Sequence, residues 1–316
     1  MGGTTYKFNK YVMNIIKFYA HGQDKPEEFI INWNLGNTCN WDCSYCPSYL
    51  HDGSVAWTNT DLVKTNLLKI KNRFFDKNIK IEFMGGEVTL KNDFIDLLKF
   101  CKELNFRTSI ITNASRTINY WESLVEYLDE AMMSFHPELA SKEHYENIID
   151  LCYLHNVKPV CRIAMVKDNF WGLVDYKKYI QEKYSNIDID YMILYDKENK
   201  HNYNGYFYDY DKEQLAFLEQ DSHTCFIVES SSGEKQEMSF VQLKSLGLTN
   251  FTGFTCGTEL SILTVDYRGG ASISVCPQRS AINIFKNDID TLFAPRICEQ
   301  SECRNPSDLR ILKIKN

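Results

Sequence analysis

Residues 29–46 read FIINWNLGNTCNWDCSYC, a strand pattern that runs directly into three cysteines. Within Phe29–Asn37, Ile31, Trp33 and Leu35 share one face while Asn32 and Asn34 share the other, the period-two alternation of a half-buried strand. Similar stretches follow at Ile79–Glu87, Arg107–Ala114, Ala131–Pro137, Pro159–Val166 and Ile187–Asp196. Helical patterns separate them, at 59–75, 91–104, 119–129, 139–155 and 171–184. Strands joined by helical crossovers predict an α/β fold with a parallel sheet. A flat, doubly wound sheet, the alternative, would be apolar on both faces because helices cover both. Here one face stays polar: Glu82 opposes Ile81 and Phe83, Ser134 and His136 oppose Met133 and Phe135, and Arg162 opposes Cys161 and Ile163. The expectation is a sheet curled into a partial (β/α)6 TIM-like barrel whose polar face lines a lumen.

The composition bounds what such a barrel serves. With 316 residues, 44% of them hydrophobic, the chain can bury one large core and a smaller appendage. The net charge of −7, with Lys and Arg scattered, counts against nucleic acid as a partner. No run reaches the roughly 18 apolar residues that cross a bilayer. The opening MGGTTYKFNK lacks the apolar stretch of a secretory signal. No membrane partner and a cytoplasmic location are therefore expected. Disulfides rarely persist there, so 11 cysteines need another explanation. Cys101, Cys152, Cys161 and Cys225 are isolated and read as ordinary buried residues. The others cluster, at 39, 43 and 46 and again at 256, 276, 298 and 303, and clustered thiolates point to metal.

The first cluster sits just after the first strand, at the barrel edge where chemistry is usually placed. Three thiolates on one loop can ligate three irons of a [4Fe–4S] cube and leave the fourth iron open. The alternative is a zinc knuckle, which would want a fourth nearby ligand that the segment does not supply.

The pattern CxxxCxxC after a first barrel strand resembles the radical S-adenosylmethionine (SAM) superfamily. Gly85–Gly86–Glu87, at the end of the second strand, resembles that family's GGE motif, where backbone binds the methionyl amino group and glycine permits close approach. The resemblance places Tyr45 near the adenine, and Thr112, Asn113 and Ser134 at the ribose. It sets Arg162 on the SAM carboxylate, although an internal ion pair with Glu82 would explain that arginine equally. His136 is a candidate substrate acid or base, against the reading of a satisfied lumen histidine.

The later cysteines lie in GFTCGTELSILTVDYRGGASISVC and CEQSEC. They resemble a twitch or SPASM-like extension, with a hairpin turning at Arg268–Gly270. There Cys256, Cys276, Cys298 and Cys303 would hold a second, auxiliary [4Fe–4S] cluster, zinc being the alternative. The expected layout is a lead-in over 1–28, the radical SAM barrel over 29–196, a connector and hairpin over 197–249, a small α+β auxiliary-cluster domain over 250–305 and a tail over 306–316.

The resemblance implies reductive cleavage of SAM to a 5′-deoxyadenosyl radical that takes a hydrogen atom from a substrate C–H bond. It also implies an external electron donor such as flavodoxin or ferredoxin. A closed auxiliary cluster favours net oxidation, as in dehydrogenation of a small polar substrate such as a sugar or amino sugar. Ribosomal-peptide maturation and a degenerate, non-enzymatic binding protein are the alternatives. Tyr203, Tyr206, Tyr208 and Tyr210 either line an aromatic binding surface or pack the connector onto the barrel.

Overall fold

Strand β1 (Ile15–Ala20) is followed by six parallel strands, β2 (Glu28–Asn34), β3 (Asn78–Met84), β4 (Arg107–Thr112), β5 (Glu130–Phe135), β6 (Lys158–Ala164) and β7 (Asp188–Met192). Helices α1 (Thr60–Arg73), α2 (Phe94–Glu103), α3 (Ile118–Leu124), α4 (Lys142–Leu154) and α5 (Phe170–Lys183) make the crossovers. The computed structural model describes residues 14–20, 28–194, 209–220, 226–239, 242–243, 246–257, 262–273, 276, 282–287, 295–303, 306–309 and 311–315.

Local chemistry sets the helix limits. Asn59 caps α1 by accepting from the backbone of Asp61 and Leu62, and Thr117 and Ser141 cap α3 and α4 in the same way. Asn105, Asn156 and Asn186 close α2, α4 and α5 in the left-handed region, which asparagine tolerates. The strand alternation is observed directly. Phe29, Ile31 and Trp33 of β2 are buried against the helices, while Ile30, Asn32 and Asn34 face the lumen half-buried. Each strand stops a few residues before its polar–apolar alternation does. The backbone leaves the sheet through positive φ at Gly85, Gly86 and Ala114, freeing those ends for the site.

The sheet does not end at β2. Strand β11 (Ile262–Val265) lies parallel to β2, pairing Thr264 with Asn32, and carries the hairpin partner β12 (Gly270–Ser272) and then β13 (Ile282–Asn283). The order β13-β12-β11-β2-β3-β4-β5-β6-β7 is open, a partial barrel extended by the late hairpin. No hydrogen-bonding boundary therefore separates the expected barrel from the expected auxiliary domain.

A second, antiparallel sheet has the order β14-β10-β15-β1-β8-β9. It joins β8 (Phe226–Ser230) and β9 (Lys235–Met238), the hairpin around Gly233, to β10 (Phe254–Cys256), β14 (Arg296–Ile297) and β15 (Lys313–Lys315). Two expectations are corrected here. The lead-in supplies a central strand, β1, and the basic tail supplies β15 beside it. Neither hangs free, because Phe18 and Lys313 are both buried. Phe18 anchors a separate apolar core with Phe226, Val228, Phe251 and Leu309. Its ring lies 5.5 Å from Phe226 and 4.7 Å from Phe251.

Tyr210 takes the second of its two readings. It is buried, donating to the Met165 carbonyl at 2.6 Å and accepting from Leu194 N–H at 3.1 Å, so it pins the connector rather than lining a binding surface. Tyr203, Tyr206, Tyr208 and Cys225 lie outside the described residues. Cys101, Cys152 and Cys161 are buried, as isolated cysteines should be.

Phe18→Ala should cost about 3–5 kcal/mol, the range for emptying an aromatic site in a packed core. Hydrogen exchange should then show protection lost in β1, β8 and β15 and kept in β2–β7. Uniform loss across both sheets would show that they fold as one unit.

Candidate active site

Cys39, Cys43 and Cys46 sit on the loop that leaves β2, and its shape is fixed from several sides. The Cys46 N–H donates to the Cys43 carbonyl at 2.9 Å, closing a turn. Ser44 gives both its N–H (2.8 Å) and its hydroxyl to Glu138 from the β5–α4 connection. Asn113, at the end of β4, donates its amide to Asn40 at 3.1 Å and lies 3.7 Å from the Cys39 sulfur. Asn37 holds the return of the loop, donating to Asp52 at 2.7 Å and to the Tyr49 carbonyl.

The end of β3 locks onto this loop. The Glu87 N–H donates to the Thr38 carbonyl at 2.8 Å. Gly85 and Gly86 press so closely that a Cβ would stand 2.3 Å from the Gly36 oxygen and 2.1 Å from the Thr38 oxygen respectively. Their φ values of +115° and +47° disfavour a side chain in any case. The Glu87 side chain is fully buried and accepts from Thr89 N–H and hydroxyl, Thr112 hydroxyl and Asn113 N–H. Burial pushes its carboxyl pKa up, against hydrogen bonds that favour the ionised form.

Two of the residues proposed at SAM engage each other. The Thr112 hydroxyl is buried and donates to Glu87. The Glu87 side chain likewise points into protein, leaving the backbone of Gly85 and Gly86 as the exposed part of that motif. Asn113 stays beside Cys39. Ser134 is buried on β5, paired in register with Arg162 on β6. Arg162 acts electrostatically on Glu82 but, among the described residues, makes no ion pair with it within 4.0 Å.

His136 is engaged by the cysteine loop. Its Nδ1 is 2.7 Å from the Tyr45 hydroxyl, its ring stacks on Tyr45 at 5.9 Å, and Trp41 meets it edge-on at 5.8 Å. Burial pulls its pKa down to about 4, with Glu138 opposing. It is a neutral brace for the cysteine loop. The lumen below is polar. Lys80 pairs with buried Glu130 at 2.5 Å, Ser109 bridges Glu130 and Glu82, and the Asn32 Oδ1 is buried with no partner among the described residues. Burial raises the Glu82 carboxyl, with Lys80 the largest electrostatic counterweight.

The donor chemistry suits iron–sulfur. Burial, then the neighbouring thiols and nearby carboxylates, push Cys43 and Cys46 up to about 11, while burial and the Glu87 charge raise Cys39 against hydrogen bonds from Trp41, Asn40 and Asn113. Among the described residues no three His, Cys, Asp or Glu side chains are grouped as a single-ion site. Three soft thiol donors on one loop are a donor set that an iron–sulfur cube takes.

The late cysteines also gather. Cys303 feels both Cys256 and Cys276, while the Cys298 N–H donates to the Phe254 carbonyl at 2.8 Å, two residues before Cys256. Cys256 ends β10 and Cys298 directly follows β14, its partner in the second sheet, and soft thiols are the donors an iron–sulfur cluster takes.

Residues 33–165 match the family model described as the Radical SAM superfamily. An S-adenosylmethionine-dependent nucleotide dehydratase from Pseudoalteromonas ulvae is 36% identical over 104 residues, covering 28% of this chain and 33% of that protein. A probable GTP 3′,8-cyclase from Methanothermobacter thermautotrophicus is 28% identical over 143 residues, covering 44% of this chain and 45% of that one. The chain therefore spans between a third and a half of these curated relatives. The solved structure of anSMEcpe with bound AdoMet and Kp18Cys peptide has a TM-score of 0.56 at 16% identity, covering 85% of this chain and 81% of that one. The matched residues 33–165 hold both the three-cysteine loop and Gly85–Gly86, so it is this part of the chain that is similar to the Radical SAM superfamily, whose members use a [4Fe–4S] cluster and SAM.

Glu138 and Trp41 escape a reading of the sequence, because Glu138 meets Ser44 from 94 residues away. Lys80 was within reach of it, standing two residues before Glu82 on the lumen face.

Gly86→Ala should displace the Thr38 carbonyl, costing about 1–3 kcal/mol and cutting iron uptake on reconstitution several-fold. Gly233→Ala, strained in φ but with nothing within 4 Å of its Cβ, should leave iron uptake unchanged. Equal uptake by the two variants would contradict the packing account. His136 gives a pH test on iron-free protein. Its folded pKa near 4 lies below the unfolded value of 6.5, so stability is full above 6.5 and falls as pH drops toward 4. Relative to His136→Gln, the wild type should lose about 3 kcal/mol over that window. Parallel pH profiles would overturn the assignment of a neutral, buried imidazole.

Proposed function

We propose that the protein cleaves SAM reductively at the Cys39–Cys43–Cys46 loop and oxidises a small polar substrate held in the barrel lumen. The observation that carries this is the seating of Gly85–Gly86 against Thr38, which sets a bare backbone edge beside a three-thiol loop.

Cys39, Cys43 and Cys46 would hold three irons and leave the fourth for the SAM amino and carboxylate groups. When bound, the reduced cluster supplies the electron that splits SAM into methionine and a 5′-deoxyadenosyl radical, which takes a hydrogen atom from substrate. The chain's own part is placement. Glu87, Thr112 and Asn113 hold the backbone edge, His136 and Tyr45 brace the loop, and the lumen orients the substrate. Hydrogen transfer needs the reacting atoms about 3–3.5 Å apart, so the polar groups of Asn32, Glu82 and Arg162 set which C–H is presented.

A net oxidation removes two electrons. One leaves with the hydrogen atom, and the other needs an acceptor, which a closed cluster on Cys256, Cys276, Cys298 and Cys303 would supply. A nucleotide is the second substrate reading, favoured by the nucleotide-directed names of the curated relatives.

Reconstituted, reduced protein should convert SAM to 5′-deoxyadenosine. Cys39→Ala should lower that rate about 100-fold or more, since the chemistry resides in the cofactor. Fully loaded protein that leaves SAM intact would overturn the proposal. Iron counting should give about eight irons in the wild type and about four in Cys256→Ala/Cys276→Ala, from two cubes and one; an equal count in both would remove the second cluster.

A further inference from the structure

Lys313 is a buried cation with an incomplete set of partners. It is 1% exposed, although nothing about strand β15 requires a lysine inside. Its Nζ donates to the Asp308 carbonyl at 2.6 Å and the Ile311 carbonyl at 2.8 Å. An ammonium has three donors, and among the described residues the third has no hydrogen-bond partner. Around it stand the rings of Phe18 and Phe251, 5.4 and 5.0 Å from Nζ, which exclude water. Two carbonyls and two ring faces are a weak counterbalance for a full charge taken out of water. Among the described residues no carboxylate pairs with Lys313 within 4.0 Å.

The late cysteines lie where that partner would be. Lys313 is registered directly against Cys256 across β15 and β10, and against Phe18 across β15 and β1. Opposed residues in antiparallel strands project from the same face with Cβ atoms about 5 Å apart. The lysine and Cys256 therefore share a face by the geometry of the sheet. Cys298 and Cys303 pack against the same core, to which Phe18 and Phe251 belong. Register and packing thus set the surroundings of this lysine beside three of the four thiols.

We infer that Lys313 is the built-in countercharge of a cluster held by Cys256, Cys276, Cys298 and Cys303, and that it raises that cluster's reduction potential. This rests on the auxiliary-cluster reading above. Four thiolates make the cube an anion, and reduction adds one more negative charge. A fixed cation in a water-poor site favours the more negative state because little solvent screens it. The part played is positioning and tuning, not contact with substrate. It gives the chain's last strand a reason to be threaded through the middle of the second sheet.

The test uses the full chain with Cys39, Cys43 and Cys46 changed to Ala, so that any iron belongs to the second site. In that background about four irons are expected, and the midpoint potential is read by EPR-monitored titration. Lys313→Met and Lys313→Gln should keep the iron and shift the potential negative, and Lys313→Arg should restore it. The Gln variant retains a donor for the two carbonyls, so it separates charge from lost hydrogen bonds. If both uncharged variants lose iron while Arg holds it, the countercharge role stands in stronger form. Full iron with an unchanged potential in Met and Gln would overturn it, as would loss of iron in all three variants. A Lys313-intact parent with no iron would instead bring down the auxiliary cluster itself, and this role with it.

Discussion

The buried carboxylate of Glu87 is the constraint on which the site depends. It draws together the end of β3 and the end of β4, accepting from Thr89, Thr112 and Asn113 in a place where any unfilled acceptor would be costly. Its own N–H is tied to Thr38, one residue before Cys39. The glycines beside it permit that contact and Asn113 extends it to Asn40 and the Cys39 sulfur. One side chain thus fixes where the cysteine loop stands relative to the bare backbone of Gly85 and Gly86. The cluster loop and the proposed SAM edge form one rigid assembly.

Around that assembly the chain is wound more tightly than its layout suggests. The late hairpin adds β11 to the edge of the parallel sheet, bringing Thr264 into the same register row as Asn32 and Glu82. The second sheet is closed by strands from near both ends of the described chain, with β1 between β15 and β8. Both connections tie the late cysteines mechanically to the barrel. Electron movement between two clusters depends on a fixed separation, and shared sheets are how a fold fixes one.

Much of this was legible in the sequence. Alternation in Phe29–Asn37 and its five successors located the strands; burial follows the same period in β2 and most of β6, whereas β4 and β5 are buried on both faces. Spacing picked out the cysteine loop. Glycine chemistry picked out Gly85–Gly86, though the contact they make is with Thr38 as much as with any ligand. The misses have physical causes. Thr112 and Glu87 look like ligand contacts, because a polar residue at a strand end can satisfy a cofactor or a neighbour with the same atoms. Glu138 and Lys313 act across 94 residues and across strands from opposite ends of the chain, and no local pattern encodes such pairings. A lysine is rarely buried, so no local pattern marks Lys313 as a residue of the core.

The central claim is that Cys39, Cys43 and Cys46 hold a cluster with one iron open to SAM. EPR of the reduced, reconstituted chain with Cys256 and Cys276 changed to Ala tests it most directly. The account predicts a [4Fe–4S] signal whose shape changes on adding SAM, with hyperfine coupling to a nitrogen-15 label on the methionyl amino group. A signal that SAM leaves unaltered, with no coupling to that nitrogen, would contradict it.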